Sequence, residues 1–209
     1  MRLLELFSGS KSVSKAVGDH FTEVVSLDII ERYSPSICAD ILKWDYKKYE
    51  PGHFHTIWAS PPCCEFSCLN YTHPEKTPNL ALADAIVQRT LEIIDYLKPE
   101  QFFIENPQTG LLKDREYMEC IPYQDFDYCV FSNWGYRKRT RIWTCKDVKS
   151  MVCLGKGKCK NMEGGRHKAA LGNATYPEYW ERGTERQLQR YAIPPALIRY
   201  LVLDTPLAE

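Results

Sequence analysis

The sequence contains no apolar run long enough for a membrane-spanning helix, no internal repeat and no low-complexity tract. Residues 1–7 are apolar, but this run is short and Glu5 interrupts it, so we expect a first strand there rather than a signal peptide. The 209 residues, 44% of them hydrophobic, suffice for one domain with a sizeable core, or for one domain with a small appendage.

A disulfide framework is also not expected. The chain has nine cysteines, an odd number, and no secretory signal accompanies them. We therefore expect a reducing compartment, such as the cytoplasm of a bacterium or of a phage-infected cell. Cysteines that form no disulfide are available for metal binding or catalysis.

The formal net charge is zero, but the charge is unevenly distributed. Residues 137–168 contain eleven lysines and arginines against two acids, Asp147 and Glu163, which is +9 for this segment and −9 for the remainder. A basic segment on an acidic body is typical of a site for a polyanion, with an affinity that falls as salt rises. The alternative is a solvated basic loop.

Strand-like and helical segments alternate along the chain. We predict strands at 3–7, 23–27, 55–59 and 101–105, helices at 11–18 and 80–97, and two further strands at 125–131 and 139–144 that pair near the sheet edge. A final helix follows 190–197. This alternation predicts a parallel α/β sheet, in which ligands bind at the carboxyl ends of the strands.

The ends of the first two predicted strands carry a possible ligand site. Gly9 lies in a turn that leads into a helix, and Asp28 follows it by 19 residues. Such a turn lets the backbone approach a ligand, and the carboxylate can accept hydrogen bonds from a ribose. A tight turn without a ligand explains the same residues.

The ends of later strands carry reactive side chains. Cys63 follows two prolines in a loop where a thiol can be exposed and activated, although a buried structural cysteine is the commoner case. Glu105 ends a buried strand, where its carboxylate either contacts a substrate or has only a capping or ion-pair role. Arg139 and Arg141 alternate along a strand, so both point to one face, which is either part of the site or solvated.

Together, and in this order, these motifs resemble those of the DNA cytosine-5 methyltransferases. The matching stretches are 4–9, 60–67, 103–106, 139–143 and 192–197, together with Asp28 and Asp40. The resemblance covers residues 3–144 and 185–202. It implies a Rossmann-like α/β sheet with helices on both faces, S-adenosylmethionine as cofactor and double-stranded DNA as substrate.

The resemblance also implies a role for each matching residue. Cys63 is expected to attack C6 of a flipped-out cytosine, while Glu105 hydrogen-bonds the ring and Arg139 and Arg141 hold the base and backbone and help to keep Cys63 ionised. The residues implied for the cofactor are Phe7, Ser8, Gly9, Ser10, Asp28, Ile29, Asp40, Ile41 and Pro61.

Departures from the family pattern indicate a small, divergent member of phage or viral type. The residues off pattern are Lys11, Cys64, Glu65, Pro107, Arg137, Arg190 and Tyr191. Only residues 145–184 occupy the place of the target-recognition region, so we expect 1–144 and 185–209 to form the catalytic domain. A region this short predicts a short target sequence or help from a partner protein, and we expect a monomer.

The Cys-, Lys- and Gly-rich recognition segment carries a possible structural zinc site. Cys153, Cys159 and His167 lie in a stretch that cannot build its own core, and either Cys129 or Cys145 is available as the fourth ligand. We favour Cys129, because it precedes a bend that brings it under the loop. The alternative is a set of reduced surface cysteines beside a solvated or DNA-facing histidine.

Three other functions compete with DNA cytosine-5 methylation. An enzyme that methylates an amino nitrogen needs an aromatic residue after Pro-Pro, where this chain has Cys63. The same C5 chemistry could act on RNA, which the sequence does not distinguish from DNA. A non-catalytic nucleic-acid-binding protein with a methyltransferase-like fold is the third alternative.

Overall fold

The chain alternates strands with helices, as expected from its sequence. The computed structural model describes residues 1–67, 77–170 and 191–207. The strands are β1 (Arg2–Leu6), β2 (Glu23–Asp28), β3 (Ile37–Cys38), β4 (Thr56–Ala59), β5 (Gln101–Pro107), β6 (Tyr123–Asp127), β7 (Arg139–Trp143), β8 (Met162–Glu163) and β9 (Arg166–His167). The helices are α1 (Ser12–Val17), α2 (Leu80–Leu97), α3 (Tyr128–Phe131) and α4 (Pro195–Leu203), with short 3-10 turns at Gly18–His20, Glu31–Tyr33, Leu111–Asp114 and Glu116–Met118.

Seven strands form one sheet in the order β3-β2-β1-β4-β5-β7-β6. Strands β1 to β5 run parallel, and β7 runs antiparallel between β5 and β6. The strand order reverses between β1 and β4, and ligands of such sheets bind in the crevice beyond this point. The expected Rossmann-like α/β sheet is confirmed.

Helices cover both faces of the sheet, which confirms that expectation too. Successive strand residues point to opposite faces, so Leu3 and Phe103 pack with α1 and α4, whereas Leu4 and Ile104 pack with α2. All four side chains are fully buried. The strand ends are therefore held by core packing on both sides.

Helix α2 has the bounds that its periodicity predicts. Asn79 caps it, since its side-chain oxygen accepts a hydrogen bond from the Leu82 amide at 3.1 Å. Ala83, Val87 and Leu97 lie on its buried face. Lys98, in the left-handed conformation, ends the helix.

Strands β6 and β7 pair near the sheet edge as expected, but the predicted strand at 125–131 is too long. The strand ends at Asp127, and residues 128–131 form the single helical turn α3. Tyr128 and Phe131, three residues apart, then both point into the same core. The helical turn buries two aromatic side chains that an extended strand would place on opposite faces.

After β7 the chain leaves the sheet. We call residues 145–170, the described part of the predicted target-recognition segment, the recognition segment. Strands β8 and β9 form a small antiparallel hairpin within it, with Met162 opposite His167. The expected boundary between residues 184 and 185 lies outside the described residues, and the division into domains stays a prediction. Among the described helices, none has the length and apolar character needed to cross a membrane.

Candidate active site

A cavity of about 290 Å³ lies at the carboxyl ends of β1, β2, β4 and β5. This volume is near the lower end of the range for small-molecule sites. Residues from each of the four strand ends line it, and Lys138 closes one side. The sheet topology thus brings distant parts of the sequence to one concave surface.

The turn after β1 has an unusual backbone. Phe7, Gly9 and Lys11 have positive φ angles of 58°, 43° and 57°. Glycine adopts this conformation without strain, whereas Lys11 occupies it with a side chain, at the position where the family pattern has a glycine. Within the turn, the Ser8 amide donates to the Leu27 carbonyl at 3.1 Å and the Lys11 amide donates to the Ser8 carbonyl.

Asp28 joins the turn to the end of β2. One carboxylate oxygen accepts the Gly9 amide at 2.8 Å, and the other accepts the Ile30 amide at 2.9 Å. Each carboxylate oxygen has more than one acceptor position, so Asp28 can still accept hydrogen bonds from a ligand. It therefore both builds the turn and faces the cavity.

Glu5 is a lining residue whose position the sequence reasoning did not identify. Its buried carboxylate accepts the amides of Val13 at 3.2 Å and Ser14 at 3.0 Å, and also the Ser14 hydroxyl. Burial raises the pKa of Glu5, although these hydrogen bonds act in the opposite direction. The carboxylate fixes the first turn of α1 against the sheet.

All nine residues implied for the cofactor line the cavity: Phe7, Ser8, Gly9, Ser10, Asp28, Ile29, Asp40, Ile41 and Pro61. Two features fit S-adenosylmethionine. The hydroxyl of Ser8 is buried and has no hydrogen-bond partner within the described chain, so a polar ligand atom would satisfy it. The Ile29 side chain is 66% exposed and offers an apolar surface to a ring.

The loop after β4 presents Cys63. The Asn106 side-chain amide donates to the Pro61 carbonyl at 2.9 Å, which ties this loop to the end of β5. Burial raises the pKa of the Cys63 thiol, the nearby Lys138 ammonium acts to lower it, and Glu105 acts to raise it. Since the thiolate is the nucleophile, the positive charge of Lys138 favours the reactive form.

Glu105 is 6% exposed and lies among three polar side chains. Its Oε1 accepts hydrogen bonds from the Tyr128 hydroxyl at 3.1 Å and from the Thr140 hydroxyl. Lys138 Nζ lies 3.7 Å from the same oxygen. The sequence analysis did not identify these three neighbours. The alternation of side chains along β7 was a signal for two of them, because it puts Thr140 on the same face as Lys138, the residue just before the strand.

Arg139 and Arg141 do not lie beside Cys63, contrary to the expected placement. Arg141 forms a bidentate pair with Asp125, at 2.7 and 3.0 Å, and Arg139 is exposed. Within the described chain, neither lines the cavity. In the β5–β7 register, Thr140 shares the face of Glu105, so the arginines on either side of it point the other way. Their roles stay predictions.

The four residues expected to bind a metal converge in the structure. The ligand atoms of Cys129, Cys153, Cys159 and His167 all lie within 4.8 Å of one another. His167 Nε2 is 3.7 Å from Cys153 Sγ and 3.6 Å from Cys159 Sγ. Cys145 lies outside this cluster, which favours Cys129 as the fourth ligand.

The family follows from a sequence comparison. No family model matches the chain. The chain is 40% identical to a protein of Frog virus 3 (isolate Goorha) described as a probable DNA (cytosine-5)-methyltransferase, over 95% of this chain and 97% of that protein. The chain belongs to the DNA (cytosine-5)-methyltransferase family. The similarity extends over nearly the whole length of both proteins.

Solved methyltransferase structures share the fold of this chain. The Entamoeba histolytica methyltransferase EhMeth matches with a TM-score of 0.52 at 15% identity over 72% of this chain, and a putative DNA modification methyltransferase from an Escherichia coli prophage with 0.51 at 14% over 71%. The S. pombe Dnmt2 methyltransferase matches with 0.50 at 16% over 77%. The chain spans only 56%, 49% and 57% of those three chains.

Proposed function

We propose that this protein transfers a methyl group from S-adenosylmethionine to carbon 5 of cytosine in double-stranded DNA, through a covalent adduct on Cys63. One observation carries the proposal: a single cavity contains Cys63, Glu105 and the turn around Gly9. The nucleophile, the group that activates the base and the proposed cofactor site are therefore within reach of one flipped-out base.

The proposed cofactor contacts come from the strand ends. Phe7 faces the adenine ring, Asp28 accepts hydrogen bonds from the ribose hydroxyls, and Asp40 accepts one from the adenine amine. Asp40 uses one carboxylate oxygen for the Leu42 amide at 3.0 Å and keeps further acceptor capacity. S-adenosylmethionine, when bound, supplies an electrophilic methyl group.

The chemistry of the base rests on Cys63 and Glu105. The Cys63 thiolate forms a bond to C6, and the ring electrons move toward N3, which takes a proton from Glu105. C5 is now nucleophilic and would accept the methyl group of S-adenosylmethionine, whose S–CH3 bond would break to leave S-adenosylhomocysteine. Loss of the C5 proton to solvent then breaks the C6–S bond, regenerates the Cys63 thiolate and returns the N3 proton to Glu105.

The basic recognition segment is the proposed nucleic-acid surface. The lysines at 149, 156, 158 and 160 are exposed and lie near the cluster cysteines in the sequence, and Arg139 is exposed as well. Lysine and arginine contacts with phosphates make affinity salt-dependent. We propose that a monomer binds DNA in this way in an infected host cell, and that the short segment reads a short target or uses a partner protein.

We also propose that Cys129, Cys153, Cys159 and His167 bind a structural zinc ion. Three thiolates and one imidazole suit tetrahedral zinc with no open position for a substrate. The recognition segment needs such support, because Leu154 is 71% exposed beside the cluster. A bound metal would supply the stability that apolar burial does not provide there.

The zinc proposal is tested by metal content. Protein purified without added metal should contain one zinc ion per chain by plasma mass spectrometry, and Cys153→Ser should lose it. Cys145→Ser is the matched control, because Cys145 lies outside the cluster. Zinc-free wild-type protein that is folded throughout the recognition segment would contradict the proposal.

The catalytic proposal is tested by trapping the adduct. Duplex DNA that carries 5-fluorocytosine is mixed with the protein and S-adenosylmethionine, since fluorine at C5 prevents release of Cys63. We expect a denaturation-resistant adduct that Cys63→Ser abolishes and Cys64→Ser retains. An adduct with RNA but not with DNA would show that the substrate is RNA. If no adduct forms although the protein binds both the cofactor and DNA, a non-catalytic binding protein is favoured.

A further inference from the structure

We infer that Lys138 is a positioning residue of the methyl-transfer site, whose ammonium group stabilises the negative charge on Cys63 before attack and on Glu105 after it. This inference rests on the proposed function. Lys138 belongs to none of the motifs that carry the family resemblance.

The side chain of Lys138 is largely buried and held in place. It is 11% exposed, with Nζ 3.7 Å from Glu105 Oε1 and 3.5 Å from the Tyr128 hydroxyl. The ammonium also lies 4.9 Å from the centre of the Tyr128 ring, within range of a cation–π contact. A buried cation needs such partners, and one of them, Glu105, lines the cavity together with Lys138.

Charge conservation during the reaction explains why one cation suffices. In the proposed mechanism, the thiolate of Cys63 carries the negative charge before attack, and Glu105 carries the proton that it then donates to N3. When sulfur bonds to C6, the proton passes from Glu105 to N3, so the thioether is neutral and the Glu105 carboxylate is negative. Lys138 is paired with Glu105 and lines the same cavity as Cys63, so its positive charge acts on the group that carries the negative charge at each step.

The electrostatics of Cys63 point to the same residue. Burial raises the pKa of the thiol, an ionised Glu105 and Cys64 also act to raise it, and the positive charge of Lys138 opposes them. Protonation of Glu105 before attack would remove its part of this opposition and leave the effect of Lys138. The family-pattern arginines face away from the cavity, so Lys138 supplies the positive charge there.

The test measures the reactivity of Cys63 without any methyl transfer. Iodoacetamide alkylates the intact, cofactor-free protein across the neutral to alkaline range, and peptide mass spectrometry separates Cys63 from Cys64. In Lys138→Gln and Lys138→Met, we expect alkylation of Cys63 to slow by about tenfold at neutral pH, as for a thiol pKa raised by about one unit. The whole pH profile should move to higher pH.

Two controls separate charge from packing. Lys138→Arg keeps a positive charge and should keep the wild-type profile. Lys43→Gln removes the charge of an exposed lysine that is distant from Lys138 in the sequence, and it should keep the wild-type profile too. Lys138→Met keeps most of the aliphatic stem that packs on Tyr128. A folded Lys138→Gln or Lys138→Met protein with the wild-type profile would overturn the inference, as would an Arg variant shifted as far as the neutral ones. Since the assay uses neither DNA nor cofactor, its failure is distinct from failure of the proposed function.

Discussion

The active-site cavity and the recognition segment are held in shape by different forces. Around the cavity, the strand ends follow fully buried residues such as Leu4 and Ile104, so core packing fixes them. In the recognition segment, Val152 is 47% and Leu154 is 71% exposed, and the proposed metal site at the Cys₃His cluster would hold the chain instead. On this account, core packing places one site and side-chain ligation of a metal the other.

The two regions meet between β6 and α3. Asp127 accepts a hydrogen bond from the Cys153 amide at 2.8 Å and from the Arg137 guanidinium at 2.7 Å. The next residue, Tyr128, donates to Glu105, and Cys129 follows as a member of the Cys₃His cluster. Loss of the metal is therefore expected to act first on the recognition segment and more weakly on the cavity.

Removal of the metal gives the largest expected difference between the two regions. Chelation should speed amide hydrogen exchange in residues 145–170 by about a hundredfold or more, since zinc supplies several kcal/mol to small metal-held folds. Exchange in β1 and β4 should change little, because apolar packing holds these strands. Hydrogen exchange measured by mass spectrometry on both regions tests this prediction. If exchange in β1 speeds up as much as in residues 145–170, the two regions do not open independently.

Loss of the Glu105 proton should affect catalysis but leave the fold unchanged. Glu105→Gln keeps the shape and accepts hydrogen bonds from Tyr128 and Thr140, but it cannot transfer a proton to N3. We expect methylation to slow by about 10²- to 10⁴-fold, with unchanged cofactor affinity by calorimetry. Glu100→Gln, at a side chain that is 76% exposed, is the matched control. Near-normal turnover in Glu105→Gln would remove Glu105 from the mechanism.

Asn161 should anchor the recognition segment more than its size suggests. Its buried side chain accepts the Gly135 amide at 2.9 Å and donates to the carbonyls of Cys129 at 2.8 Å and Ser132 at 2.7 Å. Asn161→Ala leaves these groups without partners, so we expect a loss of about 2–4 kcal/mol in the free energy of unfolding by urea. Exposed Asn133→Ala should change it by less than about 0.5 kcal/mol.

The smallest expected effect comes from a substitution in the turn after β1, and it should stabilise the fold rather than destabilise it. Lys11→Gly relieves a left-handed backbone with φ 57° and should raise the free energy of unfolding by about 0.5–1 kcal/mol. Lys15→Gly, inside α1, should lower it by about 1 kcal/mol. Urea unfolding of both variants checks the pair, and stabilisation by neither or by both would contradict this account of the turn.

The sequence predicted what depends on local pattern. The turn around Gly9, helix α2 with its Asn79 cap and the loop of Cys63 follow from short-range signals. Parallel α/β topology then brings the strand ends together. The convergence of the three cysteines and His167 was also predicted, because a Gly- and Lys-rich segment that cannot build its own core needs another source of stability.

The sequence did not predict what depends on strand register and on packing between distant segments. The register of β7 on β5 decides that Lys138 and Thr140, not Arg139 and Arg141, share the face of Glu105. The helical turn at Tyr128 depends on a core built by other parts of the chain. No short-range pattern contains this information.

The position of the transferred methyl group tests the central claim most directly. The protein is incubated with duplex DNA and S-adenosylmethionine that carries a deuterated methyl group, and the DNA is then digested to nucleosides for mass spectrometry. The account predicts labelled 5-methyldeoxycytidine, which Cys63→Ser does not produce. Label on an amino nitrogen of cytosine or adenine, or none in DNA while the protein binds both ligands, would contradict it.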